Sequence, residues 1–222
     1  MRTDLIRKTV LTAAGLACTG AVAVAGSLTT AGTGSATSGK ATTAAKNDRT
    51  SHGERELNMR YAAQPNFYYC GPAATRNALS VQGKEVDVHA MAREMGTTEA
   101  GTDSIHDITP VLNRETGKKV YRSVEIRESR ADRDQTDKLR ADIVRTIDDG
   151  RAVVANVAGT GTDTDGLTHS FEGGHYISVI GYREGGNVVT IADSADAAQA
   201  SYRMTVDNLA DWIATRGYAA VA

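Results

Sequence analysis

Cysteine is scarce in this chain, and its placement is the first clue to chemistry. Of two cysteines, Cys18 sits in an apolar stretch near the start, while Cys70 opens the run Cys70-Gly71-Pro72-Ala73-Ala74. Proline is tolerated in the first turn of a helix, where its missing N–H costs nothing, so Cys70 is expected at a helix start. A thiol there faces unpaired backbone N–H groups and the positive end of the helix dipole, and both favour thiolate over thiol. The same N–H groups, joined by a side-chain amide, can hold the oxyanion of a tetrahedral intermediate. Gln64, six residues upstream, carries such an amide. A thiolate nucleophile also needs a base. Gly173-Gly174-His175 leads into an alternating, β-rich run, and Asp193 ends the next one. If these runs pair as a hairpin around Gly185-Gly186, Asp193 comes to lie beside His175, accepts its other ring N–H and sets the tautomer. Each residue has a plainer explanation on its own: a packed thiol, a loop glutamine, a satisfied strand-end histidine, a turn acid. In the order Gln64, Cys70, His175, Asp193 they point instead to nucleophilic acyl chemistry.

The segments around these residues bear on the environment. Residues 1–8 hold Arg2, Arg7 and Lys8 against Asp4, and residues 9–26 carry no charge and are mostly small or apolar. With Ala21-Val22-Ala23 near its end, residues 1–26 read as a secretory signal removed by signal peptidase. The stretch is short and rich in Ala and Gly for a membrane span, and Gly15 stands three positions before Cys18, where a lipidation site has a large aliphatic residue. The mature chain is therefore expected to be secreted, extracellular, monomeric and without stable membrane association, with Cys70 as its lone thiol. Removing residues 1–25 takes away three basic residues and one acidic one, moving the formal charge from −2 to near −4. No basic stripe is present, which argues against a nucleic-acid partner. The histidines show no metal spacing, and neither metal nor cofactor is expected.

Residues 27–50 are nearly all Ser, Thr, Gly and Ala and read as a flexible tether. The remaining residues, 51–222, suit one domain with a sizeable core. Its first half is predicted to be helical, over 70–80, 86–95, 104–116 and 136–149, with a strand at 120–126. Its second half turns to strands at 152–157, 175–182 and 188–193, followed by a closing amphipathic helix over 206–215. A helical half followed by an antiparallel sheet is an α+β arrangement.

The blocks Gln-x5-Cys-Gly-Pro-Ala-Ala, Gly-His-Tyr-Ile-Ser-Val-Ile-Gly-Tyr and Ile-Ala-Asp-Ser-Ala resemble the papain-like peptidases related to the bacteriocin leader (double-glycine) processing peptidases, over about residues 58–215. The resemblance implies a papain-like fold in which Cys70 attacks, His175 is base and acid, Asp193 orients it and Gln64 lines the oxyanion hole. Three departures stand out. Ser194 replaces a frequent Pro, an insertion rich in Gly, Thr and Asp (159–174) precedes the His, and these 222 residues hold no transporter segment of the kind fused to the namesake domains. The reading that follows is a secreted thiol hydrolase of peptide or isopeptide bonds, acting on a peptide or protein substrate. Two alternatives keep the same fold: a transpeptidase of the phytochelatin synthase type, and a binding module with an idle triad. Of the other histidines, His169 is expected in a polar loop as a poor rival base. His52, His89 and His106 are read as surface or satisfied residues. Phe67-Tyr68-Tyr69 is read as packing the loop of Gln64, and Trp212 as core.

Overall fold

A computed structural model of the protein describes residues 53–222. The expected signal (1–26), the tether (27–50) and His52 lie outside the described residues. After a two-residue strand β1 (Arg55–Glu56) come α1 (Cys70–Ser80), α2 (Val88–Glu94) and α3 (Ile105–Thr116). Strand β2 (Tyr121–Glu125) and helix α4 (Arg133–Asp148) lead into β3 (Val153–Thr162), β4 (Thr168–Arg183) and β5 (Val188–Ala192). The chain closes with β6 (Ser201–Thr205), α5 (Val206–Ile213) and β7 (Gly217–Val221). The strands form one antiparallel sheet in the order β2-β7-β3-β4-β5-β6, with β1 beside the far end of β4.

The helices begin and end where local chemistry dictates. Ser104 caps α3 in a reciprocal box with Asp107, and Asp132 caps α4 in another with Gln135. The Asp132 box starts α4 three residues earlier than the apolar spacing alone predicts. Gly117 closes α3 in the left-handed conformation that glycine adopts without a Cβ penalty.

The sheet is covered on both faces. Val153, Ala155, Val157, Ile177, Val179 and Ile191 pack with Leu139, Ile143 and Ile147 of α4 and with Leu209 and Trp212 of α5. The alternate positions Ala152, Val154, Tyr176 and Ala219 pack with α1, α2 and α3. The period of two along a strand produces this division, and each fully buried aliphatic side chain contributes about 1.5–3 kcal/mol. The expected helical half and sheet half are therefore interleaved. β2 from the first half lies at the sheet's edge, and α4 backs the face opposite α1. On the α4 side the buried carboxylate of Asp142 accepts from Arg122, Lys138 and the Tyr218 hydroxyl, which ties that helix to β2 and β7.

Three readings are corrected. Residues 159–174 are not a polar loop: most of them extend β3 and β4 into a hairpin. Asp163 closes its turn by accepting from the backbone N–H groups of Asp165 and Leu167. His175 consequently sits inside β4 rather than at its start. Strands β6 and β7 do not figure in the sequence reading, because Ser-Tyr-Arg-Met-Thr and Gly-Tyr-Ala-Ala-Val are too short and mixed to show a period.

Trp212, buried as expected, donates from Nε1 to the Gly159 carbonyl at 3.1 Å. It lies so close to β3 that a Cβ on Gly161 would stand 2.6 Å from its ring, whereas one on Gly173 would meet nothing. Gly161→Ala is therefore expected to destabilise the full chain by about 1–3 kcal/mol and to alter the emission of this single tryptophan. Gly173→Ala should do neither, and thermal unfolding followed by fluorescence checks both.

Candidate active site

The site is assembled where α1 meets β4. Cys70 is the first residue of α1, and Tyr69 at the cap position supplies no side-chain hydrogen bond, so the first-turn N–H groups keep their donors. The helix start is seated tightly: a Cβ on Gly71 would lie 2.5 Å from the Thr102 Oγ1, which only glycine avoids. Ser178 of β4 donates to the Ala74 carbonyl of α1 at 2.7 Å, three residues beyond His175, and so fixes helix against strand. Cys70 is 7% exposed and lines a cleft of about 210 Å3 together with Gly101, Thr102, Asn156, Gly174 and Arg216.

His175 and Asp193 are each 3% exposed, and His175 Nε2 lies 2.7 Å from Asp193 Oδ1. Cys70 lies near enough to the ring to favour its protonated form, and with Nε2 on Asp193 the ring has Nδ1 free for other partners. Asp193 Oδ1 also accepts from the Ala195 N–H at 2.9 Å, and Oδ2 accepts from the Tyr202 hydroxyl at 2.9 Å. Burial alone would discharge the imidazolium, but the hydrogen bond to Asp193 and the nearness of Cys70 outweigh it and hold the His175 pKa up at about 9. Burial likewise opposes the Asp193 carboxylate, yet the donors from His175, Ala195 and Tyr202 keep its pKa below the ordinary value. Phe171 stacks on the His175 ring at 3.9 Å and 22° and covers one of its faces.

His175 and Asp193 are thus brought into contact, and Cys70 stands near the ring at the start of α1. Gln64 is tied to the far side of the same group. Its N–H donates to the Ser194 carbonyl, its Oε1 accepts from Ser194 Oγ at 3.1 Å, and Nε2 spends one N–H on Asn66. Ser194, where proline is frequent in the resembled family, supplies a hydroxyl that proline could not. His169 is buried on β4 rather than held in a loop, with Nε2 3.1 Å from Asp163 Oδ2 and its ring stacked on Tyr202 at 3.7 Å. His89 and His106 are exposed, on Tyr69 and Glu125 respectively. Phe67 is 79% exposed, so it does not pack the Gln64 loop. Tyr202, Phe171 and Arg216 escaped the sequence reading, since they lie in or beside strand segments whose pattern is weak, and Asn156 escaped it because nothing in the predicted strand 152–157 shows which face meets the cleft. Among the described residues no group of three or more His, Cys, Asp or Glu could hold a metal, and no helix is long and apolar enough to cross a membrane.

The family model described as the Peptidase_C39 like family matches residues 56–220, and the chain belongs to that family. Membership points to cysteine peptidase activity and to the papain-like α+β fold. No curated protein matches. Among solved structures, the chain is similar to the peptidase domain of Streptococcus ComA, a bi-functional ABC transporter involved in a quorum sensing pathway. That pair shares 16% identity and a TM-score of 0.47, over 73% of this chain and 100% of that one. It is also similar to a double glycine motif protease from an AMS/PCAT transporter in complex with its leader peptide, at 11% identity and a TM-score of 0.46, over 75% of this chain and 94% of that one. A C39-like peptidase from Bacillus anthracis matches at 12% identity and a TM-score of 0.49, over 76% and 98% respectively.

The raised His175 pKa carries a signed consequence for stability. Folding favours the protonated ring, so this contribution is complete below the unfolded value of about 6.5. It is lost as pH rises through about 9. In thermal unfolding of the full chain across pH 6–10, Asp193→Asn is expected to flatten that decline. Tyr202→Phe removes a donor that offsets the Asp193 charge, so the NMR titration midpoint of His175 should move to higher pH.

Proposed function

We propose that the protein is a secreted thiol peptidase that cleaves peptide or isopeptide bonds through an acyl-enzyme on Cys70. The observation that carries this reading is the buried His175–Asp193 pair, Nε2 to Oδ1 2.7 Å, with the Cys70 thiol at the first residue of α1 near enough to the ring to favour its protonated form. In the first step Cys70 Sγ adds to the scissile carbonyl carbon, and the carbonyl oxygen takes the negative charge. First-turn N–H groups of α1 and the remaining N–H of Gln64 Nε2 would stabilise that charge. The tetrahedral adduct collapses as the C–N bond breaks, and the His175 imidazolium gives its proton to the leaving amine. Neutral His175 then takes a proton from water, whose oxygen attacks the thioester, and the acid product leaves as the thiol is regenerated. Asp193 keeps the ring in register throughout and stabilises its charged form. Export rests on the basic, apolar and small-residue succession within residues 1–26.

Alkylation is the test. Iodoacetamide is expected to label Cys70 of the full chain stoichiometrically near neutral pH, with the site read by peptide mass. His175→Ala should slow that labelling roughly tenfold or more, and the slowing should be greatest at pH 6, where an unassisted thiol is almost wholly protonated. Equal, slow labelling of wild type and variant would mean an unactivated thiol and would end the proposal. Cleavage of a peptide library should vanish in Cys70→Ala, and transfer of the acyl group to added glutathione instead of water would reassign the enzyme as a transferase.

A further inference from the structure

The cleft beside Cys70 carries polar groups that neither the sheet nor the Cys70–His175–Asp193 arrangement uses. Asn156 of β3 lies opposite Tyr176 and is only 6% exposed, and its side-chain amide, open to the cleft rather than sealed, makes no hydrogen bond to the described residues. It lines the cleft with one donor and one acceptor group unspent. An amide that opens to the cleft beside the thiol and is committed to no protein partner is available to a substrate.

Arg216 stands beside it. This residue lines both the 210 Å3 cleft and an adjoining cavity of about 400 Å3, and the two share Asp103 and Asn156 as well. Its guanidinium forms no ion pair among the described residues, and its Nε lies 3.7 Å from where a Cβ on Gly174 would be. The backbone that presents it is pinned on both sides, by Arg216 N–H on the Ile213 carbonyl at 2.8 Å and by Ile126 N–H on the Arg216 carbonyl at 2.9 Å. The preceding Thr215 has φ of 67°, a left-handed conformation uncommon for a β-branched residue. Strain of this kind persists where the surroundings enforce it and clusters at ligand sites. Of the other charges around the two cavities, Glu125 is already engaged by His106 and Arg127. That leaves Arg216 and, across the cleft, Asp103 with unspent charge.

We propose that Asn156 and Arg216 form a substrate subsite that selects a peptide bearing a carboxylate close to the scissile bond. Arg216 takes the carboxylate through its planar N–H fork, and the Asn156 amide pairs with a peptide group of the substrate backbone. Gly101, Gly173 and Gly174 leave room for that backbone to approach. Asp103 opposes the same carboxylate and limits how strong the selection becomes. The subsite rests on the peptidase reading for its place in a reaction. The carboxylate can belong to an acidic side chain or to a free C-terminus, and these are separable.

The test measures binding, so that it stands apart from turnover. Peptides of one sequence, with Asp or Asn walked through each position and ending in a free carboxylate or an amide, are titrated calorimetrically against the full chain carrying Cys70→Ala. The best carboxylate-bearing peptide is expected to bind roughly tenfold or more tightly than its neutral isostere. The advantage should fall to about one when Arg216→Ala is added and should grow when Asp103→Asn is added. An advantage that follows the Asp/Asn exchange assigns the side chain, and one that follows the acid/amide exchange assigns the terminus. Equal binding of all peptides, no binding of any, or an advantage that survives Arg216→Ala overturns the subsite. Selective binding by a chain whose wild type cleaves none of these peptides would remove the peptidase reading and leave the subsite standing.

Discussion

The contact between His175 and Asp193 is the constraint on which the rest of the site hangs. Two charges taken out of water lose more solvation than their attraction alone returns, unless their remaining hydrogen-bonding capacity is filled. Here it is filled. Asp193 receives the His175 ring on one oxygen along with the Ala195 N–H, and the Tyr202 hydroxyl on the other. The pair is thereby held ionised and aligned, and Cys70 meets the ring from the helix side. Behind Tyr202 lies a second buried pair, His169 with Asp163, stacked face to face on the tyrosine ring. That layer has no thiol to serve, and its evident physical role is to fix the plane from which Tyr202 donates.

That contact exists because the strands carry two irregularities. Next to their connecting turn, β4 and β5 pair Arg183 with Val188 and Gly181 with Thr190, but further along they pair Val179 with Ile191 and Ser178 with Ala192. Ile180 is the extra residue that accounts for the change. Continued without it, the pairing would set Asp193 opposite Ser178, whose side chain turns to α1. With it, Asp193 falls opposite Ile177, two residues from His175 and on its side of the sheet, within diagonal reach. The second irregularity lies between Val157 and Gly159 of β3, where Glu172, Gly173 and Gly174 of β4 bow out beside Ala158. It opens the sheet just ahead of His175, where the cleft runs. One bulge therefore aims Asp193 at His175, and the other opens space beside Cys70.

A sheet clothed on both faces gives this geometry its stiffness. α1 cannot slide along β4, because Gly71 rests on Thr102, Ser178 holds the Ala74 carbonyl, and the buried faces of α1, α2 and α3 share one core. α4 and α5 hold the opposite face through a second core. Close-packed interiors resist displacement, so a thiol on one element and an imidazole on another keep their separation without a covalent link. The cleft beside this packed region carries Asn156 and Arg216 on its wall.

Local sequence chemistry was enough for the helices and for the identities at the site. Cys70-Gly71-Pro72 announces a helix start, the 3.6-residue spacing of Leu139, Ile143 and Ile147 announces α4, and Gly185-Gly186 announces the turn that brings Asp193 back toward His175. Those signals are short-range, carried by residues that decide their own backbone conformation. Strand partners are different, because pairing depends on residues distant in the chain and on register, where a single-residue slip reverses every side chain. The Ile180 bulge leaves no mark in a run that alternates smoothly on paper. β6 and β7, the burial of His169, the donation from Tyr202 and the convergence of Asn156 with Arg216 likewise arise only when the sheet closes between its two helical layers. The sequence by itself determined which side chains could react; the tertiary structure alone decided that they face one another, because facing is a property of register and packing rather than of residue type.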